Sequence, residues 1–299
     1  MSLFGAIEAG GTKFVCAVGT TDGEIKERIS IPTTTPEETM PEVIAFFQQH
    51  AIQAIGIGSF GPIDVDKKSK TYGNITTTPK TAWKDYPLLQ TVKDAFSFPV
   101  GFNTDVNVAA LGEALLGAAK GVDNCLYITV GTGIGAGAYI NGELLQGLTH
   151  PEMGHILVRR HPKDTYKGRC PYHTDCLEGL AAGPAIEERW GKKAIELSDK
   201  EDVWDMEGYY IAQSLMQYIL ILSPKKIILG GGVMNQTQVL TYIYKYLKEL
   251  LNGYLSFAEV SANIENYIVK PGLGDNAGIA GAILLAEKEW RESSTSVIS

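Results

Sequence analysis

The chain has 299 residues, 44% hydrophobic and 20% charged, enough for a large buried core in one or two globular domains. Acidic residues outnumber basic ones 34 to 26, and the net charge of −8, with no basic cluster to offset it, argues against a nucleic-acid partner. No run reaches the roughly 18 apolar residues that span a bilayer, and the N-terminus lacks the basic start and apolar stretch of a signal peptide; the expectation is a cytoplasmic protein with no membrane partner.

In chain order, residues 3–8, 14–18 and 24–32 read as three short strands joined by Gly-rich or Asp-Gly turns, an antiparallel meander. A helix follows over 36–50, then a buried strand at 54–59, a polar loop region through about Lys84, an apolar run around Val100, and a helix from Asp105 to about Gly117. The same order of elements starts again near Asn124, where 125–130 and 136–140 form a hairpin about another Gly-Thr-Gly turn, with a short third strand at 143–145. Helices at 209–222 and 238–251 flank a strand at 226–229, and a last helix over about 276–290 could pack back on the first half. A duplicated half with a meander sheet and crossover helices would set the two Gly-rich turns facing each other across a nucleotide cleft.

Those turns are Gly10-Gly11-Thr12-Lys13 and Gly131-Thr132-Gly133. A phosphate needs backbone N–H groups brought close together, which glycine permits, and threonine adds a hydroxyl donor. A Gly-rich hairpin can also simply reverse the chain; its repetition at equivalent places is what favours the phosphate reading. No Gly-x-x-x-x-Gly-Lys-Ser/Thr run is present, which disfavours a P-loop, and Gly272-Leu273-Gly274 lacks the third glycine of a dinucleotide fingerprint. Gly230-Gly231-Gly232, directly after Ile227-Ile228-Leu229, is either a plain strand-end turn or a place where backbone passes close to an adenosine ring.

Asp105 opens the helix that follows Val100, so it is an N-cap or first-turn carboxylate that can also act as a general base. Cys16 and Cys125 lie in apolar runs and read as small buried hydrophobes. Cys170, His173 and Cys176, with His155 upstream, form a ligand set suited to a closed structural Zn2+ site, with His150 or His161 as alternative fourth ligands. Glu152 precedes His155 by three positions, which on a helix puts both on one face, and Glu178 lies two residues beyond Cys176. A metal tying His155 to Cys176 would fix both carboxylates, and paired carboxylates accept hydrogen bonds from the vicinal hydroxyls of a polyol.

The segments Glu8-Ala-Gly-Gly-Thr-Lys13, Asn103-Thr-Asp105-Val-Asn107, Gly131-Thr-Gly-Ile-Gly135, His150-Pro-Glu-Met-Gly-His155 and Cys170-Pro-Tyr-His-Thr-Asp-Cys-Leu-Glu178-Gly-Leu-Ala-Ala-Gly-Pro184 resemble the repressor, ORF and kinase (ROK) family, and more narrowly its bacterial fructokinases. The resemblance implies an α/β, actin-like (ribonuclease H-like) duplicated fold with a central nucleotide and sugar cleft, usually dimeric. Residues 1–117 plus 279–299 would form the smaller domain and 118–278 the larger, zinc-bearing one. It further implies ATP with Mg2+, a hexose substrate and a structural Zn2+ held by His155, Cys170, His173 and Cys176. Carried onto these residues, Asp105 is the base and Glu152, His155 and Glu178 contact sugar hydroxyls, while Thr132, Gly231, Gly232 and Pro184 lie along ATP, with Gly133 and Gly230 beside them. Glucose-type members commonly have Asn where Thr104 stands, which places Thr104 among the sugar-side candidates, and commonly have Asp where Glu8 stands and a third Cys where His173 stands. These departures are shared with the fructokinase branch and point to fructose, with a broader mannose or glucose kinase as the near alternative. A non-catalytic sugar sensor is the more distant one. The family's DNA-binding regulators carry a helix-turn-helix ahead of the first strand, which here is expected at about Leu3.

Overall fold

In the computed structural model, which describes residues 2–296, two five-stranded sheets share one internal order. The first contains β1 (Phe4–Ala9), β2 (Lys13–Gly19), β3 (Ile25–Pro32), β4 (Ile55–Ser59) and β5 (Val100–Thr104). The second contains β6 (Cys125–Val130), β7 (Ile134–Ile140), β8 (Glu143–Leu144), β9 (Lys226–Gly230) and β10 (Ile268–Val269). The orders β3-β2-β1-β4-β5 and, read in the same sense, β8-β7-β6-β9-β10 are the duplication anticipated from element order. In each copy the later strands join in parallel, β4 and β5 on β1, and β9 and β10 on β6, which requires crossover connections.

The helices are α1 (Pro36–Gln48), α2 (Leu88–Ala95), α3 (Asp105–Leu115), α4 (Leu177–Ala181), α5 (Gly183–Trp190), α6 (Glu201–Leu222), α7 (Val239–Leu251), α8 (Ala258–Ser261), α9 (Ile264–Tyr267) and α10 (Ala277–Ser296). Two differ from expectation in an instructive way. α2 occupies part of the stretch between the expected loop and the apolar run, and it has only Leu88, Leu89 and Val92 to bury, too few for a clear period. α6 starts at Glu201 rather than near 209, because its acidic first turn suits a helix N-terminus while Val203, Trp204 and Met206 are already buried. Among the described residues no helix is long and apolar enough to cross a membrane.

The chain divides into two units, one comprising residues through Gly121, Gly137–Pro151 and Pro271 onward, the other Val122–Ala136 and Glu152–Lys270. This division differs from the 1–117 plus 279–299 and 118–278 scheme chiefly at 137–151 and 271–278. In the first unit Gly137 lies so close to α3 that a Cβ there would fall 2.1 Å from the Val106 carbonyl oxygen. Gly272 and Leu273 are likewise bound to α3, through Glu113.

Within the first unit the central strands are buried on both faces, and the two-residue period of a strand sorts their side chains. Ile7, Phe14, Cys16 and Ile57 face a core completed by Phe47 of α1 and Leu88 of α2, whereas Ala6, Val15 and Ala17 face Val108 of α3 and Ile279 and Ile283 of α10. Cys16 and Cys125 are both buried and free, as expected of small hydrophobes, and burial pushes the Cys16 thiol well above its usual range. α3 and α10 meet backbone to backbone: a Cβ on Gly281 would sit 1.6 Å from the Val108 oxygen, and one on Gly112 2.4 Å from the Ala277 oxygen. Glu113, fully buried on α3, accepts N–H bonds from Ala118 (2.7 Å) and Gly272 (2.9 Å) on Oε2 and from Leu273 (2.9 Å) on Oε1. The chain's first exit from this unit after Gly121 and its last return at Pro271 are therefore gathered near one carboxylate.

In the second unit Glu207 is buried on α6, and its Oε1 has no hydrogen-bond partner among the described residues. Burial pushes its carboxyl from the ordinary 4.5 up to about 8, against the opposing charge of Arg189. A folded-state pKa above the unfolded one gives stability that is fully present below pH 4.5 and is lost as pH rises through about 8. Glu207→Gln should therefore melt like the wild type toward pH 4.5 and higher than it above pH 8, by about 2–4 °C for each kcal/mol recovered. A melting difference that stays constant across this window would remove the assignment.

Candidate active site

Asp105 is the first residue of α3, at the junction with β5, and it is half-buried. Three neighbouring side chains set that junction. Thr104 is the N-cap, its Oγ1 accepting from the Asn107 N–H at 3.2 Å, and the Asn103 Oδ1 accepts both the Thr104 N–H (2.9 Å) and an Nδ2 hydrogen of Asn107 (2.8 Å). The Asp105 Oδ1 in turn accepts from the Val106 N–H at 2.8 Å. The carboxylate thus stands at a helix N-terminus, beside the positive end of the helix dipole. Asn103 and Asn107, four residues apart across the strand-to-helix junction, are the side chains that order it, and their i, i+4 spacing is the signal in the sequence.

Also in the first unit, the Gly10–Lys13 segment closes the β1–β2 hairpin by a bond from the Gly10 N–H to the Lys13 oxygen at 3.0 Å. It is held from outside by Thr33, whose hydroxyl donates to the Gly10 oxygen (2.8 Å) and whose N–H donates to the Thr12 oxygen (3.0 Å). Thr12 and Lys13 are exposed, and Gly11 is partly so. Glu8, two residues earlier, has its carboxyl raised above the usual range by burial, with Arg28 and Lys13 opposing the shift.

In the second unit the remaining nucleotide-side candidates converge. The Gly131 N–H donates to the Gly133 oxygen (2.9 Å), closing the turn around Thr132, and the Gly131 oxygen accepts from the Gly183 N–H (2.8 Å) at the start of α5, where Pro184 sits in the first turn. Gly231, at φ 94°, brings the end of β9 against Val130; a Cβ there would lie 2.4 Å from the Val130 oxygen. Gly230, Gly231 and Gly232 therefore flank the Gly131–Gly133 turn.

The sugar-side candidates of this unit meet as well. Glu152 caps a single 3-10 turn, Met153–His155, so the expected shared helix face is realised as one tight turn closed by the His155 N–H on the Glu152 oxygen at 3.0 Å. The His155 Nε2 stands 3.8 Å from the Glu178 Oε1, while the Glu178 Oε2 accepts the Ile134 N–H at 2.9 Å, so Glu178 links the Thr132 turn to His155. Burial pushes the Glu152 carboxyl above its usual range, with His155 opposing and Glu178 adding.

The other face of His155 meets the cysteines. Its Nδ1 lies 3.8 Å from the Cys170 Sγ and 3.6 Å from the Cys176 Sγ, and the His173 Nδ1 lies 3.6 Å from the Cys170 Sγ. Ligand atoms of all four residues fall within 4.8 Å of one another. A tetrahedral Zn2+ with bonds of ~2.3 Å to sulfur and ~2.05 Å to nitrogen requires sulfur-to-nitrogen edges of about 3.6 Å, so the donor set fits that ion. The alternative fourth ligands are engaged elsewhere: the His150 Nε2 accepts the Ile63 N–H at 3.1 Å, and the His161 Nε2 faces the Asp205 Oδ2 at 3.6 Å.

A model of the ROK family matches residues 4–289. A Bacillus subtilis (strain 168) protein is 64% identical over 294 residues, 98% of each chain. A fructokinase of Pediococcus pentosaceus is 50% identical over 285 residues, 95% of this chain and 98% of its own. Among solved structures, the ROK hexokinase from Thermus thermophilus superposes with a TM-score of 0.80 at 26% identity, covering 97% of this chain and 99% of that one. The chain belongs to the ROK family, and its twice-repeated five-stranded sheet is the α/β, actin-like fold.

Proposed function

We propose that this chain is an ATP-dependent fructokinase, converting D-fructose to fructose 6-phosphate, with Asp105 as general base. The observation that carries the reading is the preset carboxylate of Asp105, held at the start of α3 by the Asn103, Thr104 and Asn107 bonds, in a chain half-identical to a fructokinase over nearly its whole length. The oxygen of the sugar 6-hydroxyl forms a bond to the γ-phosphorus, the bond from that phosphorus to the β-phosphoryl oxygen breaks, and the hydroxyl proton passes to the Asp105 carboxylate and then to solvent. Fructose 6-phosphate and ADP leave.

Phosphoryl transfer asks the protein for position and electrostatic stabilisation rather than covalent chemistry. The Gly10–Lys13 turn and the Thr132 turn with Gly133 supply backbone and hydroxyl donors to phosphate oxygens. Gly230, Gly231 and Gly232, with Pro184, give the nucleotide a close-fitting backbone surface. Glu152 and Glu178 accept hydrogen bonds from sugar hydroxyls, the His155 Nε2 offers a further polar contact, and Thr104 lies on the sugar side next to the base. Mg2+ bound with ATP would supply charge neutralisation to the phosphates, and Glu8, adjoining the first turn in sequence, is the carboxylate that would hold it through oxygen. Zn2+ held by His155, Cys170, His173 and Cys176 would supply a structural cross-link, since four protein ligands would leave no vacant position. A cytoplasmic homodimer is the assembly the family resemblance carries with it.

ADP release measured across fructose, mannose and glucose should be fastest per molar with fructose; a clear preference for glucose or mannose would support the broader hexose kinase instead. Asp105→Asn should lower kcat by roughly 10²–10⁴ with the melting temperature preserved, and undiminished turnover would remove the base assignment. Chelation with metal analysis should release one Zn2+ per chain, lower the melting temperature and raise KM for fructose more than KM for ATP. A metal-free protein of full stability and activity is the result that sinks the zinc site.

A further inference from the structure

We propose that Lys80 is a phosphoryl-contacting residue of this reaction, its ammonium group neutralising the anion handled at the Gly10–Lys13 turn, a role that rests on the kinase reading above. The stem of Lys80 crosses that turn: a Cβ built on Gly11 would lie 3.3 Å from the Lys80 Cε, and the ammonium nitrogen is one bond further on. Lys80 is half-buried, and among the described residues no carboxylate pairs with it. A cation placed next to a Gly-rich backbone turn and lacking a counter-ion is suited to an anionic ligand, and a lysine ammonium meets phosphate as a compact point charge.

The placement is built rather than incidental. The loop before Lys80 is fastened by Thr76, whose N–H and hydroxyl both donate to the Pro62 oxygen at 2.8 and 3.0 Å. The Lys80 N–H donates to the Thr78 hydroxyl at 3.3 Å, and the Lys80 oxygen accepts from the Trp83 N–H at 2.8 Å, opening the 3-10 turn Thr81–Trp83. Trp83 is fully buried; its ring lies 5.0 Å from that of Phe14 and 5.2 Å from that of Tyr86, and its Nε1 donates to the Thr34 oxygen at 2.8 Å. Phe14 directly follows Lys13, so the anchor of the Lys80 segment packs on the strand that leaves the glycine turn. A side chain at position 11 would press on the lysine stem, which would have to give by a few tenths of an ångström.

In the transfer itself Lys80 forms and breaks no covalent bond. Negative charge spreads over the oxygens of the migrating phosphoryl group while its bond to ADP breaks and its bond to the sugar oxygen forms, and the ammonium stabilises that charge. Removing one such donor typically costs ~10²–10³ in kcat. Lys80→Met keeps an unbranched stem over Gly11 and should lower kcat by about that factor, with KM for fructose within about threefold of wild type and the melting temperature unchanged. Lys80→Arg should recover part of the loss. Because Gly11→Ala and Lys80→Met disturb one contact, the double variant should be much less impaired than the product of the single losses.

Wild-type ADP release with fructose is measured first; its absence would overturn the kinase reading and this proposal together. With an active wild type, this proposal alone is overturned by Lys80→Met with kcat within about threefold of wild type, by a loss seen only in KM for fructose, or by fully multiplicative losses in the cycle. Should Lys80→Met melt lower, Lys80→Gln replaces it and is judged by the same split between kcat and KM.

Discussion

The first unit is organised around the immobility of α3. The helix is fixed at its start by the Asn103, Thr104 and Asn107 bonds, along its side by backbone contact with α10, and near its end by the Glu113 carboxylate, which collects amides from the segments around 118 and 272. A buried carboxylate is costly unless its lone pairs are satisfied, and here three N–H groups from two distant parts of the chain satisfy them. Most of what places Asp105 reduces to keeping this helix from sliding.

The second unit solves a different problem, which is to fix polar groups where regular structure is scarce. Glu152, His155, Cys170, His173 and Cys176 lie at or outside helix ends, on segments with few ladder bonds. Short cross-connections replace the missing lattice. Leu157 and Cys176 form an isolated bridge, the Tyr218 hydroxyl donates to the Met153 oxygen at 2.5 Å, and Glu178 reaches back to the Ile134 amide. The ligand set fits this logic, since a metal cross-link is an economical way to order a loop of this kind.

Much of this was legible in the sequence, for reasons that differ between elements. The strands and the repeated order of the sheets follow from short apolar runs punctuated by glycine, and the ligand cluster follows from the spacing of Cys170, His173 and Cys176. What spacing could not reach were contacts between segments far apart in the chain: Glu113 with Gly272, Gly281 with Val108, and Lys80 over Gly11. The i, i+3 spacing of Glu152 and His155 suits a shared helix face, yet a 3-10 turn brings residues three apart together equally well, and the Tyr218 hydroxyl bonds to the Met153 oxygen within that tighter turn. The early start of α6 shows the opposite case, where buried Val203, Trp204 and Met206 extend a helix beyond its clearest periodicity.

The meeting of α3 and α10 at Gly112 and Gly281 leaves no side chain between two main chains to deform under load. Most helix pairs are cushioned by rotamers that can swing aside; this pair behaves as a stiff coupling. At these two points a displacement of α10 meets the main chain of α3, the helix whose first residue is Asp105, directly. Substitutions at these contact points on α10 would consequently be felt at the start of α3, where the carboxylate stands.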